Sequence, residues 1–276
     1  MTENHPVAAH YTHGALLDAI RSGIEALGKT PETVTVDDLG PVDEFHIGGR
    51  QASEAFLGQL PLEVGAQVLD VGCGLGGAAR FTANHFGCRV TGIDLTPEYV
   101  ETGQALCAWV GLGSRITLQQ GSALELPFED GAFDAAYMMH VGMNIADKAR
   151  LCAEVARVLK PSGSFGIYDV MLTGDDDLVF PLPWATAAET SHLAPPEAYV
   201  EALGAAGLSV DTQRDRRDFA LAFFAELAAK TAASGGPPPL GLHILMGASG
   251  AEKIGNMIDN ITAGRIAPVE IIARKA

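Results

Sequence analysis

From Gln67 onward the chain alternates short apolar runs with helix-length segments, and this alternation restricts the fold more than any other feature. Residues 67–71 read as a buried strand, followed by glycines and a helix through Phe86 that Gly87 stops. Residues 88–93 form a second strand. Thr96 then caps a helix with Pro97 at its first position. Residues 116–120, 133–139 and 164–170 supply strands three to five, and a helix over 147–160 ends at Pro161-Ser162-Gly163. Strands spaced this way are joined by helical crossovers and lie parallel. The expected fold is α/β, a doubly wound sheet of seven strands with its ligand at the carboxyl ends of the strands.

Outside this series, residues 14–29 place Leu16, Leu17, Ile20, Ile24 and Leu27 on one helical face. Residues 30–49 are rich in turn formers, and a short helix over about 50–60 stops at Pro61. After strand five come a proline-rich stretch, a helix near 196–206 and a strand near 208–212. An Ala-rich helix near 219–233 and a last strand over 269–274 complete the chain. The sequence thus divides into an N-terminal lid with helices (1–60) and a core (61–276). Two helical inserts, about 171–195 and 218–265, are expected to cap the strand ends.

Charge narrows the ligand. Eighteen Lys and Arg against 34 Asp and Glu give a formal charge of −16 and a pI near 4.8. Nucleic acid and anionic membranes attract basic faces, so neither is an expected partner. No run approaches the roughly 18 apolar residues of a spanning helix. Met1-Thr2-Glu3-Asn4-His5-Pro6 lacks the basic and apolar regions of a secretory signal. Cys73, Cys88, Cys107 and Cys152 have no zinc spacing, which predicts buried thiols, no metal site and a reducing, cytoplasmic location.

Gly72-Cys73-Gly74-Leu75-Gly76-Gly77 satisfies G-x-G-x-x-G between a strand and a helix, a turn used for dinucleotides and for S-adenosylmethionine alike. A pyrophosphate disfavours a neighbouring carboxylate, yet Asp70 lies two residues ahead of the first glycine. The sulfonium and ammonium of S-adenosylmethionine favour one. Asp94, at the end of strand two, can accept ribose hydroxyls of either cofactor and does not discriminate.

Further landmarks are Gly121-Ser122-Ala123-Leu124-Glu125-Leu126-Pro127-Phe128, Phe133-Asp134-Ala135-Ala136-Tyr137 and Val158-Leu159-Lys160-Pro161-Ser162-Gly163. In this order, with the glycine turn, they resemble the class I S-adenosylmethionine-dependent methyltransferases. The likeness is strongest to the small-molecule branch of ubiquinone, sugar O- and phosphoethanolamine enzymes, and it covers about 40–212. It implies a Rossmann-like methyltransferase sheet, an S-adenosyl-L-methionine cofactor and S-adenosyl-L-homocysteine as product. It also implies roles: Gly72 and Gly74 for close backbone approach, Asp94 for the ribose, and Leu95, Ser122 and Ala123 around the adenine. Tyr11 stands where the phosphoethanolamine enzymes carry a lid tyrosine. Gly48-Gly49 matches theirs before the first core helix, which places Phe45 and His46 over the cofactor. Met139 and Asp70 complete the expected cofactor set.

Methyl transfer is an in-line displacement, so alignment does most of the work, and a hydroxyl acceptor also profits from a base. His140, directly after strand four, either takes that proton or packs against the cofactor. His46 and Asp169 are the other catalytic candidates, Asp169 by orienting a base or pairing an amine. Asn144 occupies the place of the relatives' catalytic histidine. Trp184 either walls the substrate or anchors its loop, and His243 and Met246 read mainly as packing. Between Pro161 and Gln213 there are eight acids and no lysine or arginine, which disfavours a phosphorylated acceptor. The expected activity is O- or N-methylation of a small neutral or cationic metabolite. The alternatives are C-methylation of a quinone-like ring and a non-catalytic S-adenosylmethionine-binding module. The sequence leaves the acceptor and the oligomeric state open.

Overall fold

Val68 and Leu69 are both fully buried although adjacent strand residues face opposite ways, so β1 (Gln67–Val71) lies between two layers. Val68 shares one apolar cluster with Phe56, Phe81 and Tyr168, while Leu69 shares the other with Val155, Phe165 and Leu203. The protein is seen in a computed structural model that describes residues 6–12, 14–175, 177–234 and 238–276. Four helices precede the sheet: α1 (Pro6–Tyr11), α2 (Leu16–Ala26), α3 (Val36–Asp43) and α4 (Gly49–Leu57). After β1 come α5 (Gly77–His85), β2 (Arg89–Asp94), α6 (Pro97–Trp109), β3 (Ile116–Gln120) and β4 (Phe133–Met139). The chain continues through α7 (Lys148–Val158), β5 (Leu159–Leu172), α8 (Pro196–Ala205) and β6 (Leu208–Asp215). It closes with α9 (Arg217–Ser234), α10 (His243–Met246), α11 (Gly250–Thr262) and β7 (Ile266–Lys275).

The sheet order is β3-β2-β1-β4-β5-β7-β6. The first five strands are parallel, and β7 runs antiparallel to both its neighbours. Strand order therefore switches between β1 and β4, and the crevice beyond their carboxyl ends is where such sheets take ligands.

Three local readings need correction. Residues 30–49 contain α3, started by a capping box in which Thr35 Oγ1 accepts from Asp38 N and Thr35 N donates to Asp38 Oδ2 at 2.9 Å. Gly40 and Pro41 disguised it as a turn. The fifth strand begins at Leu159, running through Pro161-Ser162-Gly163 with a register shift, and Ser162 takes φ +62° there. The insert at 171–195 has no α-helix among its described residues, only a single-turn 3-10 segment at Ala188–Thr190. Pro181, Pro183 and Pro195 lack the N–H groups a helix needs. The second insert is helical as expected, although Gly235-Gly236-Pro237 lies outside the described residues.

Candidate active site

The glycine turn is built by strand register. Gly72 N and Cys73 N donate to Ile93 O at 2.8 and 3.0 Å, which folds the chain back over the end of β2. Gly72 has φ +74°, and a Cβ there would stand 2.4 Å from Val141 Cγ2, so the position admits only glycine. Gly74 N donates to Asp94 Oδ2 at 2.9 Å and Thr96 N to Asp94 Oδ1 at 2.8 Å. Each Asp94 oxygen keeps acceptor capacity for a ribose hydroxyl. Asp70 is 2% exposed and lies beside Tyr137 in the β1–β4 register, so the Tyr137 hydroxyl donates to it at 3.0 Å. Burial, with Asp94 close by, pushes the Asp70 carboxyl up to about 8. A cation placed there would restore its ionised form.

A cavity of about 430 Å³ lies over this turn. Its walls include Tyr11, Phe45, His46, Asp70, Gly72, Gly74, Asp94, Leu95, Ser122, Ala123, Met139 and His140, which brings the whole expected cofactor set together. Four aspartates line it (Asp43, Asp70, Asp94 and Asp147), and no lysine or arginine is among its described walls. Asp43 is paired with Arg80, and the other acids suit a cationic ligand and oppose a pyrophosphate. The Ser122 hydroxyl accepts from Leu124 N at 3.1 Å and retains its own proton to donate. Tyr11 packs edge-on to Phe45 at 6.5 Å.

A second cavity, of about 780 Å³, shares Tyr11, Phe45, His46 and His140 with the first. His140 is 9% exposed and sits at φ +54°, an uncommon conformation for a residue other than glycine. Its backbone N–H donates to Tyr168 O at 2.7 Å, and neither ring nitrogen has a partner among the described residues. Burial, reinforced by His46, holds its pKa well below the usual histidine range. The His46 ring stacks on it at 6.0 Å. His46 Nε2 lies 3.1 Å from Gly49 O, and a carbonyl only accepts, so this nitrogen carries the proton of the neutral ring. Burial brings His46 down to about 4. Gly48, φ +93°, shapes this loop: a Cβ would stand 2.4 Å from Phe219 Cε1.

Asp169 is placed differently from expectation. It is fully buried, accepts from the Tyr199 hydroxyl at 2.6 Å and lines neither cavity. A Cβ on Gly142 would meet its Oδ2 at 2.3 Å, so the carboxylate underpins the turn that carries Asn144. It therefore does not reach an amine in either cavity.

With the geometry in view, residues 69–167 match the family model described as a methyltransferase domain. This part of the chain is a class I S-adenosylmethionine-dependent methyltransferase domain. The chloroplastic tocopherol O-methyltransferase of Arabidopsis thaliana is 40% identical to the chain over 97 residues, 35% of this chain and 28% of that protein. The first curated relatives are matched over only 26–35% of their own length. Among solved structures, the geranyl diphosphate C-methyltransferase of Streptomyces coelicolor A3(2) superposes with a TM-score of 0.70 at 21% identity, covering 100% of both chains. Phosphoethanolamine N-methyltransferase 2 of Haemonchus contortus gives 0.70 at 20% identity, covering 87% of this chain and 57% of that one. These likenesses extend the fold, not the acceptor, beyond the matched domain.

Around the methyltransferase domain, sequence reasoning missed Asp43 and His192 in the first cavity and most of the second. Phe223, Phe224, Leu227 and Met257 came from an insert read only as a cap. The signal was present in α9, where apolar residues occupy more than one helical face. Trp184 lines the second cavity, and its Nε1 donates to Ser191 Oγ at 3.0 Å. His243 and Met246 also line that cavity.

Replacing Asp94 with alanine removes both a ribose acceptor and two anchors of the glycine turn. S-adenosylhomocysteine affinity should fall tenfold or more, since hydrogen bonds to charged groups contribute roughly 1.5–3 kcal/mol. Calorimetric titration of the folded variant checks this. Unchanged affinity would take Asp94 out of the site.

Proposed function

We propose that this chain transfers the methyl group of S-adenosylmethionine to an oxygen or nitrogen of a neutral small molecule seated in the second cavity. The observation that carries this reading is the junction of an acidic cavity with a second cavity at His46 and His140. Gly72 and Gly74 bring backbone against the cofactor, Asp70 faces its cationic end, Asp94 its ribose, and Leu95, Ser122 and Ala123 its adenine. Tyr11, Phe45 and Met139 close around it. The cofactor supplies an electrophilic methyl on a sulfonium, and the protein's task is to hold the acceptor in line with that bond. The unpartnered nitrogen of neutral His140 accepts the acceptor's proton as the new bond forms. The His46 ring, stacked on His140, holds it at the junction. Four buried free thiols support a reducing, cytoplasmic setting. Among the described residues no helix is long and apolar enough to cross a membrane.

A second reading, methylation of a quinone-like ring carbon, is favoured by the weak basicity of His140 and the apolar second cavity. A stabilised carbanion needs no strong base.

Asp70 supplies the test. Its pKa near 8 lies above the ordinary carboxylate value, so the free protein binds a proton there that a cationic ligand must displace. Affinity for S-adenosylmethionine should therefore rise between pH 6 and 7.5, by up to about tenfold per pH unit. Asp70→Asn should flatten the slope, and NAD should not bind at either pH. Tight NAD binding, or the same slope in Asp70→Asn, would overturn the assignment.

A further inference from the structure

Resting on that reading, we infer that the methyl acceptor is a neutral, predominantly apolar molecule, selected by α9 and α11. The second cavity, about 780 Å³ against 430 Å³ for the first, is the roomier of the two. Its apolar walls include Phe223, Phe224 and Leu227 from α9, Ile254 and Met257 from α11, and Trp184 from the first insert. Leu227 is 45% exposed while facing this space, and an apolar ligand would withdraw it from water.

The charged groups on its walls are accounted for without a charged acceptor. Glu44 is buried, ion-paired with Arg50 at 3.1 Å and accepting from Ser53 at 2.6 Å. The Arg50 guanidinium also lies 4.7 Å over the Phe81 ring. Asp37, Glu54 and Lys230 also line the cavity, at positions exposed to water, where a charge keeps its hydration. A phosphate or a quaternary ammonium beside the Glu44–Arg50 pair would compete with it and leave one of its charges buried without its partner. Burying either charge without a partner is unfavourable. A neutral apolar body meets neither cost.

The cavity is continuous with the site of chemistry. It shares His140 with the cofactor cavity, and that ring is more than nine-tenths buried with both nitrogens unpartnered among the described residues. One polar atom of an otherwise apolar acceptor, directed at His140, would satisfy this group and place the reacting atom at the junction. The combination sets a geometry as well as a polarity: apolar bulk between α9 and α11, a single polar end toward His140.

The experiment uses the full chain saturated with S-adenosylhomocysteine and the neutral solvatochromic dye Nile red as probe. The dye should bind with a blue-shifted emission, and farnesol should displace it while choline and phosphoethanolamine should not. Leu227→Glu and Met257→Gln should each weaken dye binding about tenfold or more. Their S-adenosylhomocysteine affinity should stay at the wild-type value, which also shows that they are folded. Dye binding unaffected by both variants, displacement by choline or phosphoethanolamine, or no binding at all would overturn the acceptor class while leaving methyl transfer standing. Failure of the wild-type protein to bind S-adenosylhomocysteine would instead overturn the methyl-transfer reading on which the inference rests.

Discussion

His140→Ala is expected to lower kcat by about 10²–10⁴-fold while S-adenosylhomocysteine affinity changes little. The ring stands at the junction of the two cavities, stacked at 6.0 Å on His46, with both nitrogens free of protein partners among the described residues. The pH profile discriminates further. Histidine titrates near 6.5 in the open, and a limb there would be the simple expectation from sequence. Burial disfavours the imidazolium, so the basic form of His140 persists to more acid pH. With S-adenosylmethionine saturating at every pH, the kcat/KM profile of the wild-type enzyme for the acceptor should therefore be level through pH 6.5, with its acid limb displaced below. The same sign governs stability: the unfolded chain takes up a proton near 6.5 that the folded one refuses, so stability falls as pH drops through that value. Measurements should thus begin above pH 6. A fully active His140→Ala enzyme would leave proton transfer to His46 or show that the acceptor needs no base.

Arg80→Ala should destabilise the protein by about 3–5 kcal/mol, because it leaves a buried carboxylate uncompensated. Arg80 is 0% exposed, and its guanidinium pairs with Asp43 at the end of α3. The same group donates from Nη1 to Leu75 O at 2.8 Å, inside the glycine turn, and lies 3.4 Å from Gly103 O of α6. One side chain thereby ties the N-terminal helices, the cofactor turn and the flank of the sheet. Urea unfolding without ligand measures the loss. The double variant Arg80→Met/Asp43→Leu should recover much of it, since it removes both charges together. A loss below about 1 kcal/mol in the single variant would show that Asp43 finds solvent or another partner.

Much of the candidate cofactor site was legible because its determinants are local. A buried strand, a glycine turn and a helix start are written in consecutive residues, and Asp70, Gly72, Gly74 and Asp94 fall at strand ends by counting. Ser122 and Ala123 were placed instead by the likeness to the methyltransferases. Asp169 also ends up near the carboxyl edge of its strand, but strand-end position does not tell which way a side chain is engaged. Tyr199, 30 residues downstream, captures its carboxylate at 2.6 Å. Helix α3 was illegible for a local reason: its capping box uses Asp38 where glutamate is the usual signal, and Gly40 and Pro41 follow.

By itself, the sequence determined the alternating sheet, the switch point, the acidic character of the cofactor cavity and the burial of the cysteines. Each rests on periodicity, turn chemistry or composition, which act over a few residues. Only the tertiary structure decided that residues from α4, the β4 exit, the first insert, α9 and α11 enclose one apolar cavity. Only it decided that His46 and His140 meet at the boundary of that cavity. Those groups are separated by up to about two hundred residues, and nothing in local pattern specifies their approach. The basicity of His140 belongs to the same class, because desolvation is set by what packs around a ring and not by the residue itself.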